Sequence, residues 1–457
     1  MKPSVIISCA FALSTSFAFA EAETEPAGPA VPEVSAVKMV QATDSRLVTI
    51  TYTLANAPAV ITLDVQTNNA EGVWTSIGGA AVSNAKGDVW KKVSSASGVI
   101  TWRSDLSWPG HKIVNKGARA VVTAWDLGNT PDYMIVDISH AAKPDTQRYY
   151  PGADFVPGGI TNDLYKTTML PMRKIIAKDI TWTMGSVSED GRGANEATHQ
   201  VTLDSNYYIG VYEITQSQWN SVATNGTRKP FFLTAGATRP METLHINDIR
   251  ANVPGKSANN AAFKTEYAGT NTPHASSFIG LLRAKTGIDF DLPSEAQWEF
   301  ACRAGNGEGK FGDGSLLSSA NAYRISRCSG NPEFTYKYFD GGDSYRSEAK
   351  SLDTTYGTDY VGNHESNAWG LYDMHGNVWE LCLDWYQADI SAYNGAVNAN
   401  PANAAQCLNG AAGASFVLRG GSFYEKYSNC RSAKRVSVNA WWDPRNGLRV
   451  ACRAGLR

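Results

Sequence analysis

Between about Val34 and Ile138 the chain alternates apolar and polar residues at period two, with no helical period interrupting the pattern. Val48-Thr-Ile-Thr-Tyr-Thr-Leu54 and Ile61-Thr-Leu-Asp-Val65 show it most plainly. Successive side chains of a strand point to opposite faces, so such a stretch buries one face and wets the other only as β-structure. Val73–Ile77, Val99–Trp102, Ala118–Trp125 and Tyr133–Ile138 extend the series, separated by Asn, Gly, Asp and Pro clusters. Evenly spaced short strands of this kind predict a β-sandwich over residues 30–142. It has no cysteine and no constellation of catalytic side chains, so a spacer or docking role is expected.

The stretch YYPGADFVPGG at residues 149–159 reads as part of a linker, 143–173, and after it the pattern changes to short helices in glycine-rich loops. Thr215 with Gln218, and Ser294 with Gln297, have the spacing of capping boxes that open helices. Ala296, Phe300 and Ala301 then form an apolar stripe, and Trp219 and Trp298 read as core residues. The second region, residues 174–457, is therefore irregular and mixed, and the fold class expected for the whole chain is α+β.

A chain of 457 residues holds two domains with sizeable cores. Its 41 Lys+Arg against 43 Asp+Glu leave a formal charge of -2, which gives no support to a nucleic-acid partner. Residues 1–20 carry Lys2, an apolar run and Ala18-Phe19-Ala20, the pattern of a secretory signal peptide. No later stretch is long and apolar enough for a transmembrane segment, so a periplasmic or extracellular protein is expected. Apart from Cys9, six cysteines remain: Cys302, Cys328, Cys382, Cys407, Cys430 and Cys452. An even number in an oxidising compartment favours disulfides, with 15 pairings open.

Four stretches in order carry a family resemblance: MGSVSEDGRGANEATHQVTLDSNYYIGVYEITQSQW, LPSEAQWEFACRAG, NAWGLYDMHGNVWELCLDWY, and VLRGGSFYEKYSNCRSAKR with NGLRVACRA. From about Lys174 to Arg457 the chain resembles the sulfatase-modifying-factor family, whose best-known member is the formylglycine-generating enzyme. The resemblance implies a C-type-lectin-like domain with little regular secondary structure. The N-terminal region is similar to fibronectin type III or immunoglobulin sandwiches. The family contains oxidases, sulfoxide synthases and non-catalytic ligand binders, so membership alone leaves the activity open.

The resemblance implies structural calcium at a tight turn, through Asp373, the carbonyls of Gly376 and Val378, and Glu380; calcium takes six to eight hard oxygen ligands. A second family calcium site corresponds to Asn321, Ala322, Asp353 and Thr355. His375 beside the first turn reads as structural. The resemblance also implies a disulfide Cys302–Cys452 and a link from the segment near Cys430 to an upstream loop; for the remaining four cysteines the preferred pairing is Cys328–Cys430 and Cys382–Cys407, the latter two bracketing one short insertion.

Family oxidases hold monovalent copper between two thiolates in a C-x-x-x-x-C segment after R-G-G-S. Here Arg419-Gly-Gly-Ser422 is intact, but Glu425 stands at the first thiol position and Cys430 at the second. A carboxylate is a hard donor and a poor ligand for a soft ion, so copper is not expected. The family cleft instead maps to Ser422, Phe423, Tyr424 and Tyr427, and to Asn439, Trp441, Trp442 and Arg445. Trp, Tyr and Arg are the side chains most often found as binding hot spots. The expected function is binding of a peptide, glycan or small-molecule ligand at that surface. The alternative is an oxygen-dependent oxidoreductase with a reduced Cys430 as its catalytic thiol.

Overall fold

The computed structural model describes residues 30–69, 71–111, 117–140, 146–223, 230–232, 238–244, 246–251, 273–330, 357–391, 415–438 and 443–456. Residues Pro32–Arg457 form one compact unit. Its first part is a two-sheet sandwich built from β1 (Glu33–Gln41), β2 (Leu47–Ala55), β3 (Ala59–Asn68), β4 (Trp74–Ser76), β5 (Lys86–Gly87), β6 (Lys91–Val93), β7 (Ser97–Arg103) and β8 (Ala118–Trp125). One sheet runs β1-β2-β7-β5. In the other, β3 carries β8 along one edge and β4 and β6 in succession along the opposite edge. The alternation in β2 works as the sequence predicts: Val48, Ile50, Tyr52 and Leu54 point inward, where they meet Ile61, Leu63 and Val65 of β3.

The second part begins with β9 (Tyr133–Asp137), β10 (Gln147–Tyr150), β11 (Met169–Ile175), β12 (Thr181–Met184), β13 (His199–Thr202) and β14 (Tyr207–Gly210). Then follow helices, numbered after two short turns in the sandwich, α1 (Gly79–Val82) and α2 (Ser104–Ser107): α3 (Gln216–Val222), α4 (Phe278–Thr286), α5 (Glu295–Arg303) and α6 (Ser319–Ile325). Last come β15 (Trp379–Trp385), β16 (Phe416–Arg419), β17 (Arg435–Val438), β18 (Asn446–Gly447) and β19 (Ala451–Arg453). The sheets are β10-β9-β11-β14-β19, β17-β16-β15-β18 and the hairpin β12-β13, a mixture with few short helices that is α+β as expected.

The domain boundary differs from the sequence expectation. Strand β9 pairs with β10 and β11, outside both sandwich sheets, and the segment expected as linker holds β10 and β11. The reason is burial on both faces. Tyr133 and Ile135 pack into the sandwich core, while Met134, Val136 and Ile138 face the core of the second part. A strand buried on both sides reads as a continuous apolar run, and YMIVDI is one. The sandwich core also takes in Val211, Tyr212 and Val361, so the two parts share a packed boundary.

Both capping boxes form. Gln218 N–H donates to Thr215 Oγ1 at 3.1 Å and Thr215 N–H to Gln218 Oε1 at 3.0 Å. Ser294 and Gln297 repeat the exchange at 3.1 and 3.0 Å. Trp219 stacks on Phe278 of α4 at 4.4 Å, and Trp298 is fully buried, so both tryptophans are core as expected.

Candidate functional site

Backbone bonds stitch four loop segments into one site. Phe423 N–H donates to Asn377 O at 2.8 Å, joining the R-G-G-S turn to the turn before β15. Asn377 N–H donates to Arg327 O at 2.7 Å, bringing in the loop after α6, and Trp379 N–H donates to Arg445 O at 2.6 Å. Asp373 and Asn377 take left-handed backbone, with φ of 60° and 64°, conformations that Asp and Asn tolerate best among non-glycine residues. A Cβ at Gly376 would collide with the Arg327 carbonyl, so glycine is what permits the close approach.

The carboxylates around this turn are buried and differ in their partners. Glu380 accepts from Arg449 at 2.7 to 3.1 Å through both oxygens, and from Trp298 Nε1 at 2.7 Å. Glu213 accepts from Asn377 Nδ2 at 2.6 Å and from Val378 N–H at 3.1 Å. Burial, then the neighbouring Asp373 and Glu380 charges, push the Glu213 carboxyl well above its ordinary range. Asp373 accepts from Gly362 N–H at 2.7 Å through one oxygen and leaves Oδ1 buried without a partner. Burial raises it to about 6.

The expected calcium set does not fit this geometry. Asp373 offers an open oxygen, but a cation at Glu380 would have to displace a buried guanidinium held through two oxygens. Among the described residues no group of three or more His, Cys, Asp or Glu side chains is placed to hold a metal ion. In the second expected set, Asn321 donates its amide to Leu316 O at 2.8 Å, and Ala322 packs in an apolar cluster. Asp353 and Thr355 lie outside the described residues.

His375 is structural, as read from the sequence. Gly312 N–H donates to its Nε2 at 2.9 Å, so Nδ1 carries the proton and donates to Cys430 O at 2.9 Å. Burial holds its pKa near 4. Cys302 Sγ lies 3.7 Å from Nε2, yet burial pushes this thiol up to about 12 and the imidazole is already committed at both nitrogens. The contact is no nucleophilic dyad.

One of the expected disulfides, Cys302–Cys452, is corrected. Cys302, Cys328, Cys382, Cys430 and Cys452 are all buried free thiols. Cys302 packs with Met374, whereas Cys452 belongs to a different core cluster with Tyr208, so that pair is not placed to bond. Ala451, one residue earlier, faces the Cys302 cluster. Cys328 and Cys430 pack in one buried cluster with Phe311, Ala322 and Ile325. Cys382 is buried in β15, and its expected partner Cys407 lies outside the described residues. Burial holds the Cys430 thiol well above its ordinary range, which argues against a resting thiolate there.

The expected cleft residues divide by burial. Ser422 and Phe423 are interior: Ser422 Oγ accepts from Tyr424 N–H at 3.3 Å, and Phe423 packs edge-on against Phe232 at 5.3 Å. They shape the surface from beneath, a correction to their expected contact role. Tyr424, Tyr427 and Arg445 are half-buried. Arg445 is gripped by Asp443 at 2.6 to 3.1 Å, lies over the Tyr424 ring at 5.8 Å, and faces Glu425 at 3.7 Å. Asn439, Trp441 and Trp442 lie outside the described residues.

Sequence reasoning missed Glu213, Glu242 and the Arg449–Glu380 pair. Glu213 left one signal, an acid inside the apolar run IGVYEIT. Glu242, buried beneath the Phe232 loop, left none.

Residues 168–454 match the family model of the sulfatase-modifying factor enzyme 1-like domain. The chain is 33% identical to a formylglycine-generating enzyme of Thermomonospora curvata over 140 residues, 30% of this chain and 40% of that protein. It is 28% identical to the chaperone protein LppX of Paenibacillus barcinonensis over 194 residues, 41% of this chain and 64% of that one. The match to formylglycine-generating enzymes from Thermomonospora and Streptomyces thus spans about two fifths of their length. Among solved structures, PvdO from Pseudomonas aeruginosa aligns with 62% of this chain and 94% of its own, at 20% identity and a TM-score of 0.42. With well over half of its length under one family model, the chain belongs to the sulfatase-modifying factor enzyme 1-like family.

Proposed function

We propose that this chain is an exported binding protein whose C-terminal surface, around Tyr424, Tyr427 and Arg445, takes up a peptide, glycan or small-molecule ligand. The observation that carries the reading is the pre-set Arg445. Its guanidinium is fixed by Asp443 and seated over Tyr424 while the residue stays half-exposed. A rigid guanidinium over a partly exposed phenol ring loses little conformational freedom on binding, which is what hot spots require. Copper oxidase chemistry has less support. The first thiol position carries Glu425, whose carboxylate accepts from Asn429 Nδ2 at 2.9 Å, and Cys430 is fully buried beside Cys328. The leader-like residues 1–20 support export.

Peptide and glycan arrays probed with the full chain test the proposal. A reproducible hit whose affinity falls about tenfold or more in Arg445→Ala and Tyr424→Ala is expected, the loss typical of a hot-spot contact. Hits indifferent to both substitutions, or aldehyde formed on a cysteine peptide by the copper-loaded chain, overturn it.

A further inference from the structure

We propose that the N-terminal sandwich is a buttress for the candidate site, coupled through a strap at residues 149–168 to the turn 373–377, so that sandwich and turn open together. The strap runs from the end of β10 to the start of β11, inside the stretch that reads as linker in the sequence. Few contacts cross a linker between autonomous modules. This one is gripped from both sides. On the sandwich side Tyr149 N–H donates to Trp90 O at 2.8 Å, and the Trp90 ring lies 5.2 Å from Tyr150 and 6.1 Å from Phe155. Gly79 N–H donates to Asp154 Oδ2 at 3.1 Å, and a Cβ at Gly79 would meet the Phe155 ring at 2.6 Å. Trp90 takes left-handed backbone, φ 60°, which a bulky residue holds only where its surroundings fix it. The strap supplies part of those surroundings, with Tyr150, Val156 and Tyr165 buried in the sandwich core.

The other side of the strap is held by the start of α3 and the residues before it. Thr215 Oγ1 donates to Lys166 O at 2.7 Å, and Gln218 Nε2 donates to Tyr165 O at 3.1 Å and Met169 O at 2.8 Å. The Tyr212 hydroxyl donates to Ile160 O at 3.1 Å, and this tyrosine passes the contact on. Its ring lies 5.1 Å from that of Tyr372, the residue before Asp373, and Tyr372 N–H donates to Val211 O at 3.0 Å. Gly362, whose N–H donates to Asp373 Oδ2 at 2.7 Å, has left-handed backbone, and a Cβ there would lie 2.4 Å from the Tyr212 ring. At the far end of the turn Asn377 O accepts from Phe423 N–H.

From Trp90 to the turn each step is a ring contact or a hydrogen bond. Lifting the strap therefore removes a partner of Tyr212, and with it the support of Tyr372. Proteins open locally in cooperative units, and the strap assigns the sandwich and the turn to one such unit. Coupling of this kind is reciprocal, so loosening the turn must also loosen the strap. The sandwich thereby acts on the site without touching a ligand.

Native-state hydrogen exchange on the full chain in graded urea tests the proposal. Amides of β2, of the strap and of residues 372–378 are expected to exchange through one common opening, their protection converging at the same urea concentration. Phe155→Ala, at a half-buried position, removes a ring beside Trp90. It is expected to speed exchange at least about tenfold at the Trp90 amide and at the Asn377 amide alike. Tyr372→Ala, made beside the turn, is expected to speed exchange of the Tyr149 amide. Three results overturn the proposal: the Phe155→Ala change stays within the sandwich and the strap, Tyr372→Ala leaves Tyr149 at the wild-type rate, or urea opens the wild-type sandwich while residues 372–378 stay protected. The wild-type urea series alone decides the matter if either variant misfolds.

Discussion

Glu380→Gln separates two accounts of the turn before β15. In the structure Glu380 neutralises Arg449, and both side chains are fully buried. The amide keeps the shape but removes the charge, leaving a guanidinium whose other partners are the neutral carbonyls of Gly210 and Tyr372 at 2.8 and 2.7 Å. Removing one member of a buried ion pair costs roughly 3–5 kcal/mol. At this chain length that corresponds to a melting temperature lower by roughly 3–5 °C. Arg449→Met should cost a similar amount, and the double variant less than the sum, because it buries no orphan charge. Differential scanning fluorimetry in excess chelator and in millimolar calcium reads all four proteins. If Arg449 is the partner, the Glu380→Gln deficit is the same in both buffers. If chelator alone lowers the wild type to the level of Glu380→Gln, and calcium rescues the wild type but not the variant, then Glu380 is a calcium ligand and the reasoning fails.

Two other perturbations follow from the same region. Glu242 is buried, accepts from Phe232 N–H at 2.8 Å and from the Thr243 hydroxyl, and burial pushes it up from 4.5 to about 7. Because its folded value lies above the unfolded one, the folded state keeps this proton longer, so stability is lost as pH rises from about 4.5 to 7, by roughly 3 kcal/mol from this group. Glu242→Gln should flatten that slope in urea unfolding at pH 5, 6 and 7.5, and an unchanged slope refutes the assignment. Gly421→Ala places a Cβ 2.5 Å from Cys430 Sγ and 2.9 Å from its Cα, at φ 82°. Left-handed backbone alone costs a non-glycine residue about 1–2 kcal/mol, so a clearly lower melting temperature is expected, and a wild-type value sinks the packing argument.

What was legible in the sequence is local. Period two in β2 fixed its inward face, and the spacing Ser-x-x-Gln from Ser294 fixed the start of α5, since both depend on residues a few positions apart. What was missed is paired across the chain. Glu380 and Arg449 are 69 residues apart, and Glu213 reaches Val378 across 165. A carboxylate's spacing in a turn cannot show that a distant arginine already fills it. The Cys302–Cys452 expectation failed on the same ground. Counting by two keeps Cys452 on the face of Val450, but both belong to the cluster away from Cys302. Strand β9 misled because YMIVDI was read by its neighbours in sequence rather than by its two buried faces.

The basic residues of the segment from Arg419 to Arg435 show why the site stays in register. Arg431 donates to Glu189 at 2.6 Å and to Glu196 at 2.9 Å, and Arg435 grips Glu295 at 2.6 and 2.8 Å. Arg419 pairs with Glu299, and all three arginines are buried. Buried pairs add little net stability over well-packed apolar residues, because desolvation offsets most of the attraction. What they do impose is a penalty on every misplacement, since a shift of one residue along β16 or β17 would strand a charge in the interior. The loop between those strands carries Tyr424, Tyr427 and Cys430. Its ends are thus fixed against α5 and the 186–196 loop, which holds the half-buried Tyr424 and Tyr427 in place between them.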